Sequence, residues 1–436
     1  MPWRLQPGVP PAQARSPAEL RSDRALPVWS YAILRSLISA LVILTVCRSA
    51  SAVIVAGNFQ SQSDANLNTT ADSVPDGFSY WYNVGQLNSA SAVYIGDDWV
   101  LSASHISGYT TGTTTFSFED PNSDSVLKVG YQAVPGSFVR LTNPSGPAAG
   151  QLSDLLMYKI EPSSGVIAGT STSYTQSPNL AHVLIATDAP VATESVLAIG
   201  RGVDRQASIT TWNSDFTAST PAKNSGYLWQ GSNTQALRWG QNLITQESKW
   251  VDLGGTSGQV FAMGTTFDKN GLAYEFQATS GDSGGGVFYF DTNYNSWVLA
   301  GTMEATTGLQ GQPANTSVFN TMTWISDLSY YRSQILAKAP MPGDINLDTF
   351  VDIQDVTLIA NHWLTAGPTG DVNHDGVVDI QDLTFLTNHW YPAPAGAGAA
   401  LNGMNLSPVP EPSTVALASL GLACLLGLAR RSIKQR

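Results

Sequence analysis

"TSGDSGGGVF", residues 279–288, places Ser283 in a glycine-rich turn that runs straight into an apolar segment. A serine there is either a nucleophile presented on a sharp turn or one more small residue in a flexible loop. The choice rests on whether the rest of the chain supplies a base within hydrogen-bond reach and an acid to orient it.

Two histidines precede the C-terminal repeats described below, His105 and His182. His105 ends "SAVYIGDDWVLSASH" (91–105), a turn and an apolar strand followed by small residues that leave room for an imidazole to pack against a neighbour. His182, in "NLAHVLIAT", reads as a half-buried histidine on an ordinary strand. An acid follows in "GQLSDLLMYKI" (150–160), where Asp154 opens an apolar strand and can point inward. Asp97 and Asp98 are the alternatives, in a turn that reads as solvent-facing.

The order His105, Asp154, Ser283 excludes one competitor. Residues 281–285 also fit the G-x-S-x-G elbow of α/β-hydrolases, but that arrangement needs its histidine after the serine. Here the later histidines, His362, His374 and His389, all fall in the C-terminal repeats.

"VLSASH", "SDLLMYKI" and "GDSGGG" together resemble the histidine, aspartate and serine segments of the trypsin-like (chymotrypsin-fold) serine proteases. The resemblance spans roughly residues 84–305 and implies two six-stranded antiparallel β-barrels. It implies a catalytic triad of His105, Asp154 and Ser283, with an oxyanion hole from the N–H groups of Gly281 and Ser283. Gln277 stands where the family places its pocket base, and Glu304 lies on the pocket-flanking strand "WVLAGTMEAT" (297–306). The neutral Gln277 argues against a strict preference for Arg or Lys, and Glu304 stands where a small residue is usual. "IVAG" (54–57) resembles the family's mature N-terminus, whose freed amine would pair with Asp282. Signal cleavage after Ala52 leaves Val53 ahead of Ile54, so that ion pair and local hydrogen bonding of Asp282 both stand open. The alternative is a catalytically inactive protease fold that binds ligands.

Composition agrees with a β-rich body. Only 12% of residues are charged and 43% are hydrophobic, with 39 Gly and 24 Pro among the 436. Turn signals such as "IGDD", "PNSDS", "TNPSGP" and "FDKNG" recur from Val53 onward. The body ends in "NTMTWISDLSYYRSQILAK" (320–338), where Trp324, Ile325, Leu328, Tyr331 and Ile335 mark one face of an expected helix. Trp239 reads as a core residue by default.

"GDINLDTFVDIQDVTLIANHW" (343–363) recurs 27 residues later as "GDVNHDGVVDIQDLTFLTNHW" (370–390). Each copy sets oxygen ligands at loop positions 1, 3, 5, 9 and 12, with a backbone carbonyl at 7. These are Asp344, Asn346, Asp348, Phe350 (carbonyl), Asp352 and Asp355, then Asp371, Asn373, Asp375, Val377 (carbonyl), Asp379 and Asp382. The loops hold eight aspartates, and no Lys or Arg occurs between Ala339 and Ala429. Such clustered carboxylates call for a hard cation, and two calcium ions are expected. The pair resembles the type I dockerin module, which implies a cohesin-like partner. Two departures stand out. Thr349 occupies position 6, where the second loop has Gly376, so site one is expected to be distorted or weaker. Ile353-Gln354 and Ile380-Gln381 replace the hydroxyl pair often used to grip a cohesin.

Both ends read as export signals. An apolar run at 37–46 behind Arg35, closed by Ala50-Ser51-Ala52, reads as a signal peptide for signal peptidase. "VPEPSTVALASLGLACLLGLARRSIKQR" (409–436) resembles PEP-CTERM sorting signals, which implies transient membrane anchoring and cleavage by an exosortase; a retained anchor is the other reading. The expected organisation is signal peptide 1–52, protease domain 53–338, dockerin-like domain 339–391, linker 392–408 and sorting segment 409–436. Cys47 and Cys424 lie in the two terminal segments, so the body between has no disulfide. It carries 11 basic and 30 acidic residues, net −19. That charge disfavours nucleic acid and anionic membrane and favours cations. The expected substrate is protein or peptide.

Overall fold

The computed structural model describes residues 53–56, 68–106, 115–119, 128–162, 180–255 and 257–393. The expected signal peptide, the linker from residue 394 and the sorting segment lie outside the described residues. No helix among the described residues is long and apolar enough to cross a membrane.

The first described strand is β1 (Ile54–Val55). A barrel follows, built from β2 (Val84–Leu87), β3 (Ala90–Gly96), β4 (Trp99–Ala103), β5 (Thr115–Glu119) and β6 (Lys128–Ala133). β7 (Val139–Thr142) flanks β8 (Leu152–Pro162), and β8 closes the barrel by pairing with both β6 and β4. The β3–β4 connection is a two-residue hairpin in which Asp97 (φ 48°) and Asp98 (φ 63°) both take positive φ. Aspartate tolerates that conformation, and the turn it makes matches the twist of the flanking strands.

The run "LLMY" in β8 is apolar without alternation because both faces are covered. Leu156, Tyr158 and Ile160 point into the first barrel, while Leu155 and Met157 join the core shared with the second. Period-two geometry thus makes one strand serve two cores.

The second half contributes β9 (Ser195–Gly200), β10 (Thr210–Trp212), β11 (Asn224–Leu228), β12 (Arg238–Asp252) and β13 (Gln259–Thr266). It continues with β14 (Phe276–Gln277), β15 (Gly286–Asp291), β16 (Ser296–Thr306), β17 (Thr316–Val318) and β18 (Met322–Ser326). The second closed barrel runs β12-β13-β18-β16-β15-β9, with β10-β11-β17 as a separate sheet and β14 paired to β1. The two six-stranded antiparallel barrels are those implied by the resemblance to the trypsin-like proteases.

The helix expected from residue 320 starts later. Trp324 and Ile325 lie on β18, and helix α1 spans Leu328–Leu336 with Asp327 capping it through Ser329 N–H. An Asp-Ser pair at that point stops the strand and starts the helix. His182 is on no strand; it lies on an irregular segment with Nε2 3.3 Å from Asp97 Oδ1. Trp239 is buried, its Nε1 donating to Ser73 Oγ at 2.9 Å.

The repeats fold as two loop–helix units, with α2 at Ile353–Asn361 and α3 at Ile380–Asn388. Asp352 and Asp379 cap these helices, and Asp355 and Asp382 complete each capping box. A β-bridge between Val351 and Tyr391 ties the start of the unit to its end.

Candidate functional site

The register of β4 against β8 pairs Ala103 with Leu155, which brings the next residues, Ser104 and Asp154, together at the barrel mouth. Ser104 N–H donates to the Asp154 carbonyl at 2.6 Å, and Ser104 Oγ donates to Asp154 Oδ1 at 2.8 Å. His105 Nδ1 lies 2.6 Å from Asp154 Oδ2; a carboxylate there accepts, so Nδ1 carries the proton. The other nitrogen, Nε2, is 2.8 Å from Ser283 Oγ. Asp154 is fully buried while the His105 side chain is 32% exposed, so the array runs from the interior to an open face. Asp97 and Asp98 stay at the hairpin tip, away from this group.

The turn holding Ser283 is fixed from the first barrel. Ser91 N–H donates to the Ser283 carbonyl (3.0 Å) and Ser91 Oγ to the Gly281 carbonyl (2.7 Å). Gly281 has φ +103°, and a Cβ there would sit 2.8 Å from the Arg201 carbonyl oxygen. Only glycine fits without strain. The N–H groups of Gly281 and Ser283 donate to no group among the described residues.

Asp282 points the other way, fully buried. It accepts from Gly202 N–H (2.7 Å), Thr279 N–H (2.8 Å) and Thr279 Oγ (3.0 Å). Burial pushes its carboxyl up to about 6, against these bonds and one from the Val53 N–H, which hold it down. Val53 is itself buried. It is therefore Val53, not Ile54, whose backbone nitrogen meets Asp282; Ile54 instead pairs with Gln277 in the β1–β14 ladder.

A cavity of about 200 Å³ beside Ser283 is lined by residues that include Trp229, Ala278, Ser280, Met303, Glu304 and Thr306. Gln277 does not line it. Its buried amide donates instead to Thr321 Oγ1, in the connection between β17 and β18. Glu304 borders the cavity but is only 4% exposed, with one oxygen accepting from Thr302 Oγ1 at 2.6 Å. Two contributors were not legible as such in the sequence. Ser104 reads there as a small neighbour of His105, and Ser91 carries no motif at all.

The repeat loops provide the second candidate site. Asp344 accepts from the N–H groups of Asp348 (3.1 Å) and Thr349 (2.9 Å), and Asp371 accepts from those of Asp375 (3.1 Å) and Gly376 (3.0 Å). Asp355 and Asp382 each accept three backbone N–H bonds and are fully buried. Burial, with the Asp348 and Asp355 carboxylates alongside, pushes Asp344 up to about 6. An all-oxygen donor set with this much unrelieved negative charge fits a hard divalent cation.

Thr349 takes φ +79°, close to the +97° of Gly376, the left-handed conformation that a β-branched residue tolerates poorly. Arg332 on α1 is buried against it, donating to Thr349 Oγ1 at 2.6 Å and to the Thr349 carbonyl. The guanidinium also lies 4.6 Å from the Phe350 ring centre. An arginine from the preceding domain thus holds the strained position.

Residues 63–322, more than half of the chain, match the sequence model of the immunoglobulin A1 protease family. Residues 342–389 match the dockerin type I domain, a calcium-binding module, and residues 408–432 match the PEP-CTERM protein-sorting motif. No curated protein is significantly similar to the chain. The sorting motif and the dockerin domain indicate an exported, cell-surface-associated protein with a C-terminal anchor.

Proposed function

The chain belongs to the immunoglobulin A1 protease family, and from that premise we propose that it is an exported serine endopeptidase working through His105, Asp154 and Ser283. The observation that carries the proposal is the continuous path Ser283 Oγ, His105 Nε2, His105 Nδ1, Asp154 Oδ2, with steps of 2.8 Å and 2.6 Å. Ser283 attacks a peptide carbonyl as His105 takes its proton. His105 then returns the proton to the leaving amine, and water repeats the sequence on the acyl-enzyme. Buried Asp154 fixes the tautomer and stabilises the imidazolium. The N–H groups of Gly281 and Ser283, without a partner among the described residues, would receive the oxyanion; one such donor is worth roughly 100–1,000-fold in rate.

In this reading, signal cleavage after Ala52 leaves a Val53 ammonium where its N–H now meets Asp282. The ion pair would brace the turn that carries Gly281 and Ser283. The cavity bordered by Met303 and Thr306 takes the side chain before the cut.

Two calcium ions would be held by Asp344, Asn346, Asp348, the Phe350 carbonyl, Asp352 and Asp355, and by Asp371, Asn373, Asp375, the Val377 carbonyl, Asp379 and Asp382. Calcium bound there would neutralise the clustered loop carboxylates. Ile353 (65% exposed) and Ile380 (60%) sit at matching places of the two units and offer an apolar docking face in place of the hydroxyl pair, to a cohesin-like partner of matching apolar surface. Exosortase acts at the sorting motif.

Hydrolysis of an unfolded protein such as casein by the full, calcium-loaded chain tests the activity. Cleavage abolished by Ser283→Ala supports the reading. Cleavage that survives it, or none by a folded wild-type protein beginning at Val53, overturns it.

A further inference from the structure

Glu304 is a buried ionisable group beside the proposed triad that the proposed chemistry leaves unused. Its Oε1 accepts from Thr302 Oγ1, which is linked in turn to Ser326 Oγ at 2.8 Å. Oε2 is buried with no hydrogen-bond partner. Yet ligand atoms of Glu304, Asp154 and His105 gather within 4.8 Å of one another, and the Asp154 side chain is a hydrogen-bonding neighbour. These facts agree once both carboxyls are recognised as acceptors: the contact becomes a hydrogen bond only when one of them holds a proton.

Which one holds it follows from their other partners. Asp154 already accepts from Ser104 Oγ and His105 Nδ1, two donors that favour its anion. Glu304 accepts from Thr302 Oγ1 and has the Ser326 hydroxyl as a second neutral neighbour, but among the described residues it has no ion pair, whereas Asp154 faces the imidazole. Burial first, and then the Asp154 charge, raise its proton affinity well above that of an ordinary glutamate.

We propose that Glu304 is a positioning residue of the protease site, a neutral carboxylic acid whose O–H donates to Asp154 and locks the carboxylate that orients His105. The array then runs Glu304, Asp154, His105, Ser283, with one negative charge on the carboxyl pair. In this role Glu304 is not a counter-ion for a basic substrate side chain, although it borders the cavity beside Ser283. The proposal rests on the serine-protease reading, and its test separates the two.

The first arm is infrared difference spectroscopy of the full chain at neutral pH, wild type against Glu304→Gln, which needs no activity. A protonated-carboxyl band present in the wild type and absent from the variant is expected. No such difference would mean that Glu304 is ionised and would overturn the proposal even if the enzyme is active.

The second arm is the rate of covalent labelling by a fluorophosphonate. Glu304→Gln, whose amide still donates, is expected to slow labelling about threefold or less, and the apolar Glu304→Met roughly tenfold or more, in the maximal rate rather than in probe affinity. Equal losses in the two variants, or none in Met, also overturn it. Circular dichroism checks the fold of both variants; if the apolar Glu304→Met fails to fold, the infrared arm, which needs only the wild type and the isosteric Glu304→Gln, decides. A wild type with the carboxyl band but no labelling condemns the protease reading while leaving the protonation of Glu304 established.

Discussion

Replacing Asp154 by Asn keeps the size of the side chain but lets it donate to His105 Nδ1, which favours the wrong tautomer. Asp154→Asn is expected to lower kcat on a protein substrate by about 10⁴ with the fold intact. Ser104→Ala removes a side-chain donor to Asp154, and a loss near tenfold is expected. Asp282 gives a pH prediction. Its carboxyl stands at about 6 in the uncut chain, against 3.8 in the ordinary state. The folded state therefore binds that proton more tightly than the unfolded one, so stability falls as pH rises from about 4 through about 6, by roughly 3 kcal/mol in all. An ammonium at Val53 offsets this loss. The unfolding midpoint of a chain beginning at Val53 should stay flat across that window, while that of the uncut chain should fall. Equal slopes would separate Val53 from Asp282.

At the scale of elements, what the sequence made legible and what it hid follow one rule. His105, Asp154 and Ser283 each sit in a local pattern, so their segments stood out. The partners Ser91, Ser104 and Glu304 act through distant pairings, such as the β4–β8 register, that no short window contains. The start of α1 was misplaced because Trp324 and Ile325 continue the apolar spacing of the helix while lying on β18; the Asp327 cap is the better signal. That Arg332, 17 residues earlier, braces Thr349 could not be read from the sequence. Arg332→Met should therefore leave a strained Thr349 and an unpaired carbonyl. A destabilisation of about 2 kcal/mol or more is expected, with a weaker calcium response confined to site one, as read by calorimetric calcium titration.

Across the whole molecule, the calcium loops and the barrels are joined. Besides Arg332, Tyr391 Oη donates to the Ile185 carbonyl (3.2 Å), Tyr294 Oη donates to the Pro392 carbonyl (2.8 Å), and the two rings stack at 4.1 Å. Calcium that orders the loops should thus raise the unfolding temperature of the protease portion too. A site saturated at 1,000 times its dissociation constant contributes about 4 kcal/mol. Chelation is expected to shift both calorimetric transitions downward; a shift of the smaller one alone would show that the two parts behave independently. The domain order was legible because each part carries its own motif, whereas this contact was not, since its residues are spread over the barrels and the repeats.

The central claim is that Ser283 is a nucleophile activated by His105. Mass spectrometry of the calcium-loaded chain beginning at Val53, after reaction with a fluorophosphonate, tests it most directly. One adduct per chain on the peptide containing Ser283, abolished by Ser283→Ala and by His105→Ala, is the expected result. A folded protein without the adduct, or with one that persists in His105→Ala at the same rate, would contradict the account.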